Sequence, residues 1–104
     1  MKVLITEKIA KEAVEYIKNA GFIADELLSL SAEELQDKIK DYDALIVRSA
    51  TKVNKELLSK ADNLRVIGRA GSGVDNIDTD EATKKGIIVL NTPGGNSMAA
   101  AELA

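Results

Sequence analysis

Five short apolar runs recur along this chain, and a stretch with helical periodicity follows each of them. Strands that alternate with helices indicate a parallel α/β sheet, and continuous apolar runs are typical of strands that are covered on both faces. The second run is the most polar, so we expect it at an edge of the sheet. The five runs are Val3–Ile5, Phe22–Leu27, Ala44–Val47, Leu64–Ile67 and Ile87–Leu90.

Residues at the ends of the predicted helices agree with this pattern. Ser31, Asn54 and Asp78 are candidate N-caps, and the first and last of them have a glutamate three residues later, as in a capping box. Gly21 and Gly86 fit the position just after a helix. Together these features predict one flavodoxin-like α/β domain over residues 1–104. Its parallel sheet has five strands in the order 2-1-3-4-5, with helices on both faces.

Composition excludes several classes of function. The 104 residues include no cysteine and no histidine, so thiolate chemistry, the usual zinc sites and the commonest general base are absent. A net charge of −3 gives no reason to expect a nucleic-acid partner. No window approaches the roughly 18 consecutive apolar residues that span a bilayer, and the N-terminus has no signal-peptide pattern. We therefore expect no membrane association and a cytoplasmic location.

Residues that are suited to binding an anion follow the third, fourth and fifth strands. Right-handed crossovers bring the carboxyl ends of parallel strands to one edge of the sheet. Arg48 and Arg69 would meet there, and each guanidinium has paired donors that suit a carboxylate or phosphate. The glycine-rich turn 68–76 and the turn 91–97 offer backbone N–H groups as well. Ordinary ion pairing of the arginines with Glu7, Asp75 or Asp78 is the alternative.

The turn at 71–76 is not a dinucleotide fingerprint. Asn76 stands where G-x-G-x-x-G requires its third glycine, and the motif follows the fourth strand instead of the first. Ser49, Ser72 and the other hydroxyl groups have no histidine to activate them, so we predict no catalytic residue in the chain. A tight turn that binds an anion through its backbone is the interpretation that remains.

Three segments, 45–53, 66–76 and 89–97, resemble the D-2-hydroxyacid dehydrogenase family, and the Arg-Ser-Ala-Thr sequence at 48–51 resembles its phosphoglycerate branch. In that family the N-terminal part forms a flavodoxin-like substrate lobe, and a Rossmann domain that binds NAD follows it. The resemblance implies that Ser72 lies near the cofactor. It also implies substrate contacts from Arg48, Ser49, Arg69, Ala70, Gly71 and Asn96.

We therefore expect the substrate-binding lobe of an NAD-dependent enzyme that oxidises 3-phosphoglycerate, a phosphorylated hydroxy acid, at the entry to serine biosynthesis. The family's catalytic residues have no counterpart in residues 1–104, so we expect no activity and no bound cofactor from this chain alone. The alternative is a non-enzymatic scaffold that was designed, derived from a consensus or excised. In that family segment 98–104 leads towards the Rossmann domain and a returning helix covers the sheet, so without them we expect an exposed apolar surface on the lobe. The segment then either folds back over its own sheet as a monomer or docks on a second copy, and we expect the homodimer.

Overall fold

The computed structural model describes residues 1–70 and 75–92. Strands and helices alternate along them, with a short 3-10 helix over Ile39–Asp41 after the second α-helix. The strands are β1 Lys2–Ile5, β2 Ile23–Glu26, β3 Ala44–Val47, β4 Val66–Ala70 and β5 Ile88–Thr92. The helices are α1 Lys11–Asn19, α2 Ala32–Lys38, α3 Lys55–Lys60 and α4 Thr79–Lys84. The helix predicted near the end of the chain lies outside the described residues.

All the strand pairs are parallel, and their order is β2-β1-β3-β4-β5. The predicted flavodoxin-like α/β fold is therefore confirmed, including the edge position of β2. Tyr42 secures that edge strand, because its hydroxyl donates a hydrogen bond to the Asp25 carboxylate at 2.7 Å.

Two apolar clusters cover opposite faces of the sheet. On one face Val3, Ile5 and Ala44 pack with residues of α1. On the other face Leu4, Leu45 and Ile67 pack with residues of α2, α3 and α4. The prediction of helices on both faces is confirmed.

The α1 face is less covered over β4 and β5. Ile88, which pairs in register with the half-buried Val66, is 61% exposed. This exposed side chain fits the expected apolar surface. The segment 98–104, through which a homodimer was predicted, lies outside the described residues.

The predicted caps are present. Ser31 and Glu34 form a reciprocal capping box at α2, and the side chains of Asn54 and Asp78 accept hydrogen bonds from the first turns of α3 and α4. Gly21 and Gly86 have φ values of 93° and 74°, a backbone conformation that would be strained in a residue with a side chain.

The largest differences from the predicted strand boundaries are in β4 and β5. β4 begins at Val66 and continues through Ala70, whereas the apolar run predicted Leu64–Ile67. Leu64 is buried because it packs in the cluster that includes α3, so its apolar character does not mark a strand. β5 likewise extends to Thr92, and Asn91 pairs in register with Arg69. Arg69 and Asn91 are therefore strand residues and not turn residues.

Within the described part of the chain, no helix is long and apolar enough to cross a membrane.

Candidate functional site at the carboxyl edge of the sheet

The loop between β3 and α3, residues 48–54, is held by a carboxylate from the neighbouring strand. Glu7 lies two residues beyond the end of β1, and its two carboxylate oxygens accept hydrogen bonds from three backbone N–H groups of this β3–α3 loop. The N···O distances are 2.6 Å for Arg48, 3.0 Å for Ala50 and 3.1 Å for Thr51. Three donors that point at one anion form a backbone anion site, and here the protein's own carboxylate occupies it.

These hydrogen bonds keep Glu7 ionised. Partial burial raises the pKa of Glu7, but the backbone N–H groups of Arg48, Ala50 and Thr51 favour the charged form and leave the pKa below its ordinary value of 4.5. At neutral pH the loop therefore encloses a fixed negative charge.

Asn76 holds the same loop from the other side. Its side-chain amide donates hydrogen bonds to the backbone carbonyl oxygens of Arg48 and Thr51, both at 2.7 Å. Asn76 is buried, with 9% of its surface exposed. An amide is suited to this task because it has two donors on one nitrogen.

Further contacts fix the loop to its surroundings. Val53 forms a parallel bridge with Ile77, in which the Val53 N–H donates to the Asn76 carbonyl at 2.9 Å. The hydroxyl groups of Thr6 and Thr51 are hydrogen-bonded at 2.9 Å. The β3–α3 loop is thus tied to the segments that follow both β1 and β4.

Arg48 and Ser49, two predicted substrate residues, lie at the exposed tip of this loop. The Arg48 guanidinium donates one hydrogen bond, from Nη1 to the Lys8 carbonyl oxygen at 3.2 Å. Its backbone is held rigidly while its charged group remains open to solvent. A guanidinium in this state can receive an anion without giving up a carboxylate partner.

Arg69 is in a different state. Its side chain is only 10% exposed, and Nη1 lies 2.7 Å from Oδ1 of Asp75, whose side chain is 92% exposed. The hydrogen bond from Arg69 is the main cause that lowers the pKa of Asp75 below its ordinary 3.8. The ion pairing that the sequence left open for Arg69 is therefore present.

The structure brings part of the predicted site together. Val47 and Arg69 pair in register, so the strand ends that carry the two arginines are adjacent. Ala70 closes β4 and packs, half-buried, on the α1 side of the sheet. The other predicted residues, Gly71, Ser72 and Asn96, lie outside the described residues.

Sequence reasoning missed two residues that shape this edge. Asn76 was interpreted only as a missing glycine, and Glu7 only as a partner for an arginine side chain. The available signal for Glu7 was its position just beyond a buried strand, in the segment expected to lie beside the loop of the neighbouring strand. No sequence signal marked Asn76, because its carbonyl partners are 25 and 28 residues away.

The described residues do not fit a dinucleotide. In nucleotide-binding α/β folds the pyrophosphate lies on a glycine-rich turn after the first strand. Here that turn is Thr6-Glu7-Lys8, and the ionised Glu7 uses the nearby N–H groups. A pyrophosphate would find these N–H groups already occupied by the Glu7 carboxylate. Among the described residues there is also no group of three side chains that could hold a metal ion.

Comparison with known families then identifies the lineage. Residues 3–104 match the family described as D-isomer specific 2-hydroxyacid dehydrogenase, catalytic domain. The chain belongs to this family. The resemblance inferred from the segments at 45–53, 66–76 and 89–97 is confirmed.

Curated relatives are close in sequence but much longer. The chain is 48% identical to the D-3-phosphoglycerate dehydrogenase of Archaeoglobus fulgidus over 98% of its own length and 19% of that protein. It is also 48% identical to the enzyme of the same name from Methanocaldococcus jannaschii, over 99% of this chain and 20% of that protein. The chain thus spans about a fifth of the length of these relatives, at their N-terminal end.

Solved structures agree with the fold. A protein from Pyrococcus horikoshii OT3 has a TM-score of 0.85 and 40% identity, over 89% of this chain and 28% of that one. The NAD+-bound 3-phosphoglycerate dehydrogenase of Entamoeba histolytica has a TM-score of 0.81 and 34% identity, over 90% of this chain and 33% of that one.

Proposed function

We propose that residues 1–104 form the substrate-binding lobe of an NAD-dependent D-3-phosphoglycerate dehydrogenase. The reaction of the whole enzyme would be the oxidation of 3-phosphoglycerate at the entry to serine biosynthesis. The main support is 48% identity to enzymes of that name over nearly the whole chain.

The geometry of the β3–α3 loop supports an anionic substrate. Glu7 and Asn76 fix the loop backbone, and Arg48 extends its guanidinium from that fixed base into solvent. A preorganised cation binds an anion with a smaller loss of conformational freedom than a flexible one. Arg48 is thus the described residue best placed to bind the carboxylate or phosphate of 3-phosphoglycerate, with Ser49 beside it as a second donor.

Arg69 would bind the substrate anion in competition with Asp75. An anion at its guanidinium would share Nη1 with the Asp75 carboxylate or displace that carboxylate, whose side chain is highly exposed. The NAD site and the redox chemistry are assigned to no described residue of this chain.

A chimera tests the proposal. Residues 1–102 replace the corresponding segment of the Archaeoglobus fulgidus enzyme, and NADH formation from NAD and 3-phosphoglycerate is followed by absorbance. We expect turnover, and we expect Arg48→Ala to raise the KM for 3-phosphoglycerate about 10- to 100-fold, since a charge-assisted hydrogen bond contributes about 1.5 to 3 kcal/mol.

Arg65→Ala is the matched control, because Arg65 is an exposed arginine at the opposite end of the sheet, just before β4. A folded chimera that oxidises another 2-hydroxy acid but not 3-phosphoglycerate would contradict the substrate assignment. Equal KM changes for Arg48→Ala and Arg65→Ala would contradict the role of Arg48.

The isolated chain provides a second test. We expect no NADH formation from it, and we expect 3-phosphoglycerate to shift the amide resonances of Arg48, Ser49 and Arg69 in a titration. Shifts confined to other surfaces would favour the alternative of a scaffold that keeps the fold without the binding function.

A further inference from the structure

A cavity of about 530 Å³ opens beside the first three strands, at the carboxyl edge of the sheet. The segments that follow β1, β2 and β3 line it, together with parts of α2 and α3. The strand order reverses between β1 and β3, and ligands of open α/β sheets bind in the crevice at such a switch point. Its volume lies within the range of about 300 to 1,000 Å³ that is typical of small-molecule sites.

One wall of this switch-point cavity is apolar. Leu35 and Leu57 are buried beneath it, and Leu28 and Leu30 line it from the β2–α2 segment. Leu28 is 45% exposed, which is a large fraction for an apolar side chain that lines a cavity. A ligand with an apolar body would cover this surface.

The opposite wall is polar and carries more positive than negative charge. Lys8, Lys52 and Thr51 line the cavity. Glu7 also lines it, but its carboxylate already accepts three backbone hydrogen bonds from the β3–α3 loop. Those three donors offset its charge, so Lys8 and Lys52 are the cationic residues of the lining that suit an anionic end, although Lys52 also helps to lower the pKa of Asp75.

One residue that lines the cavity has an uncommon backbone conformation. Ser29 has a φ of 64°, in the left-handed region that favours glycine. Residues held in such conformations concentrate at ligand-binding segments, because the surrounding structure must compensate for the strain. Ser29 stands between the two leucines of the β2–α2 segment, so its conformation determines how they present their side chains to the cavity.

We propose that the switch-point cavity is a binding site for a small monocarboxylate with an apolar body. Its leucine wall takes the apolar body, and Lys8 and Lys52 take the carboxylate. Neither Arg48 nor Arg69 lines the cavity, so the proposal does not depend on the proposed function.

Titrations of the ¹⁵N-labelled chain test this with three matched probes: 4-phenylbutyrate, its uncharged amide 4-phenylbutyramide, and acetate. We expect saturable amide shifts from 4-phenylbutyrate at residues 28–36 and 50–57, with a Kd of about 1 mM, as befits a ligand of this size. The amide should bind at least about fivefold more weakly because it lacks the charge, and acetate should not saturate because it lacks the body.

Variants separate the two walls. The double variant Lys8→Gln with Lys52→Gln should weaken the binding of 4-phenylbutyrate about fivefold or more. The binding of 4-phenylbutyramide should remain unchanged. The control pair is Lys11→Gln with Lys55→Gln, because both lysines are exposed first residues of helices and neither lines the cavity.

Ala32→Phe is a second kind of variant, because Ala32 lines the cavity and a larger side chain there would fill it. It should abolish binding of both phenylbutyl probes while circular dichroism shows the fold intact. Equal binding of acid and amide, equal effects of the two lysine pairs, or the absence of saturable shifts at residues 28–36 would each overturn the proposal. Inorganic phosphate should leave these residues unshifted; shifts there with phosphate would show a general anion surface instead.

Discussion

Arg48 and Arg69 lie at the ends of adjacent parallel strands, yet the fold treats them in opposite ways. Arg48 has a backbone fixed by Glu7 and Asn76 and a guanidinium that is exposed. Arg69 lies within the strand, with a side chain that is nine-tenths buried and ion-paired with Asp75. At the same edge of the sheet, one guanidinium is therefore exposed and the other is buried in an ion pair.

The difference arises from which part of each arginine the neighbouring polar groups hold. Glu7 and Asn76 hydrogen-bond to the backbone of Arg48, whereas Asp75 pairs with the side chain of Arg69. The following predictions test that comparison, from the largest expected effect to the smallest.

Replacing Asn76 should have the largest effect. Asn76→Ala removes two part-buried hydrogen bonds to loop carbonyls, each worth about 1 kcal/mol net, and leaves both acceptors without this donor. We expect the free energy of unfolding in urea to fall by about 2 to 3 kcal/mol. Asn63→Ala is the control, because Asn63 makes one exposed hydrogen bond to the Lys40 carbonyl and should cost less than about 1 kcal/mol. Equal losses in the two variants would mean that Asn76 does not hold the loop.

Glu7→Gln should lower stability at neutral pH by about 1 to 2 kcal/mol, because a neutral amide replaces a carboxylate that accepts three N–H groups. Glu26→Gln is a matched control at the end of the neighbouring strand β2, where the glutamate is exposed. If the Glu7 variant is as stable as the Glu26 variant, the hydrogen bonds of Glu7 do not stabilise the β3–α3 loop.

The pH dependence follows from the same contact. The pKa of Glu7 is lower in the folded state than in the unfolded state, so its contribution is fully present above the unfolded value of 4.5. It is lost as the pH falls below 4.5 and through the folded pKa. Urea unfolding of the wild type and Glu7→Gln should therefore converge in acid, and a difference that persists well below pH 4.5 would exclude the charge as its cause.

Asp75→Asn should remove the carboxylate that pairs with Nη1 of Arg69. We expect phosphate or 3-phosphoglycerate to bind the variant about two- to fivefold more tightly, since an exposed carboxylate competes only weakly for the guanidinium. Amide titration of Arg69 and Ala70 measures this, with Asp62→Asn as a control at an exposed turn before β4. Unchanged affinity in Asp75→Asn would show that the Asp75 carboxylate does not compete with the anion.

Arg48→Ala should have the smallest effect on stability, within about 0.5 kcal/mol, because its guanidinium is exposed and makes one hydrogen bond to the Lys8 carbonyl. Binding of 3-phosphoglycerate should nevertheless weaken more in this variant than in Asn76→Ala or Glu7→Gln, which keep the guanidinium. A stability loss as large as that of Asn76→Ala would mean that the Arg48 guanidinium supports the loop and does not serve a ligand.

The sequence predicted the architecture well because its signals are local. Apolar runs, the capping pairs at Ser31 and Asp78, and the glycines at 21 and 86 each depend on a few neighbouring residues, and all agree with the sheet that forms. The predicted boundaries of β4 and β5 were less accurate. Burial of Leu64 by its cluster, and pairing of Asn91 with Arg69, depend on residues distant in the chain.

For the site, the sequence by itself determined which side chains reach the carboxyl edge, because parallel strands with right-handed crossovers all end there. Only the tertiary structure decided what those side chains do. Glu7 meets a loop 41 to 44 residues away, and Asn76 meets the same loop across 25 to 28 residues. Hydrogen bonds over such separations depend on angles and distances between packed elements, which no local pattern of residues specifies.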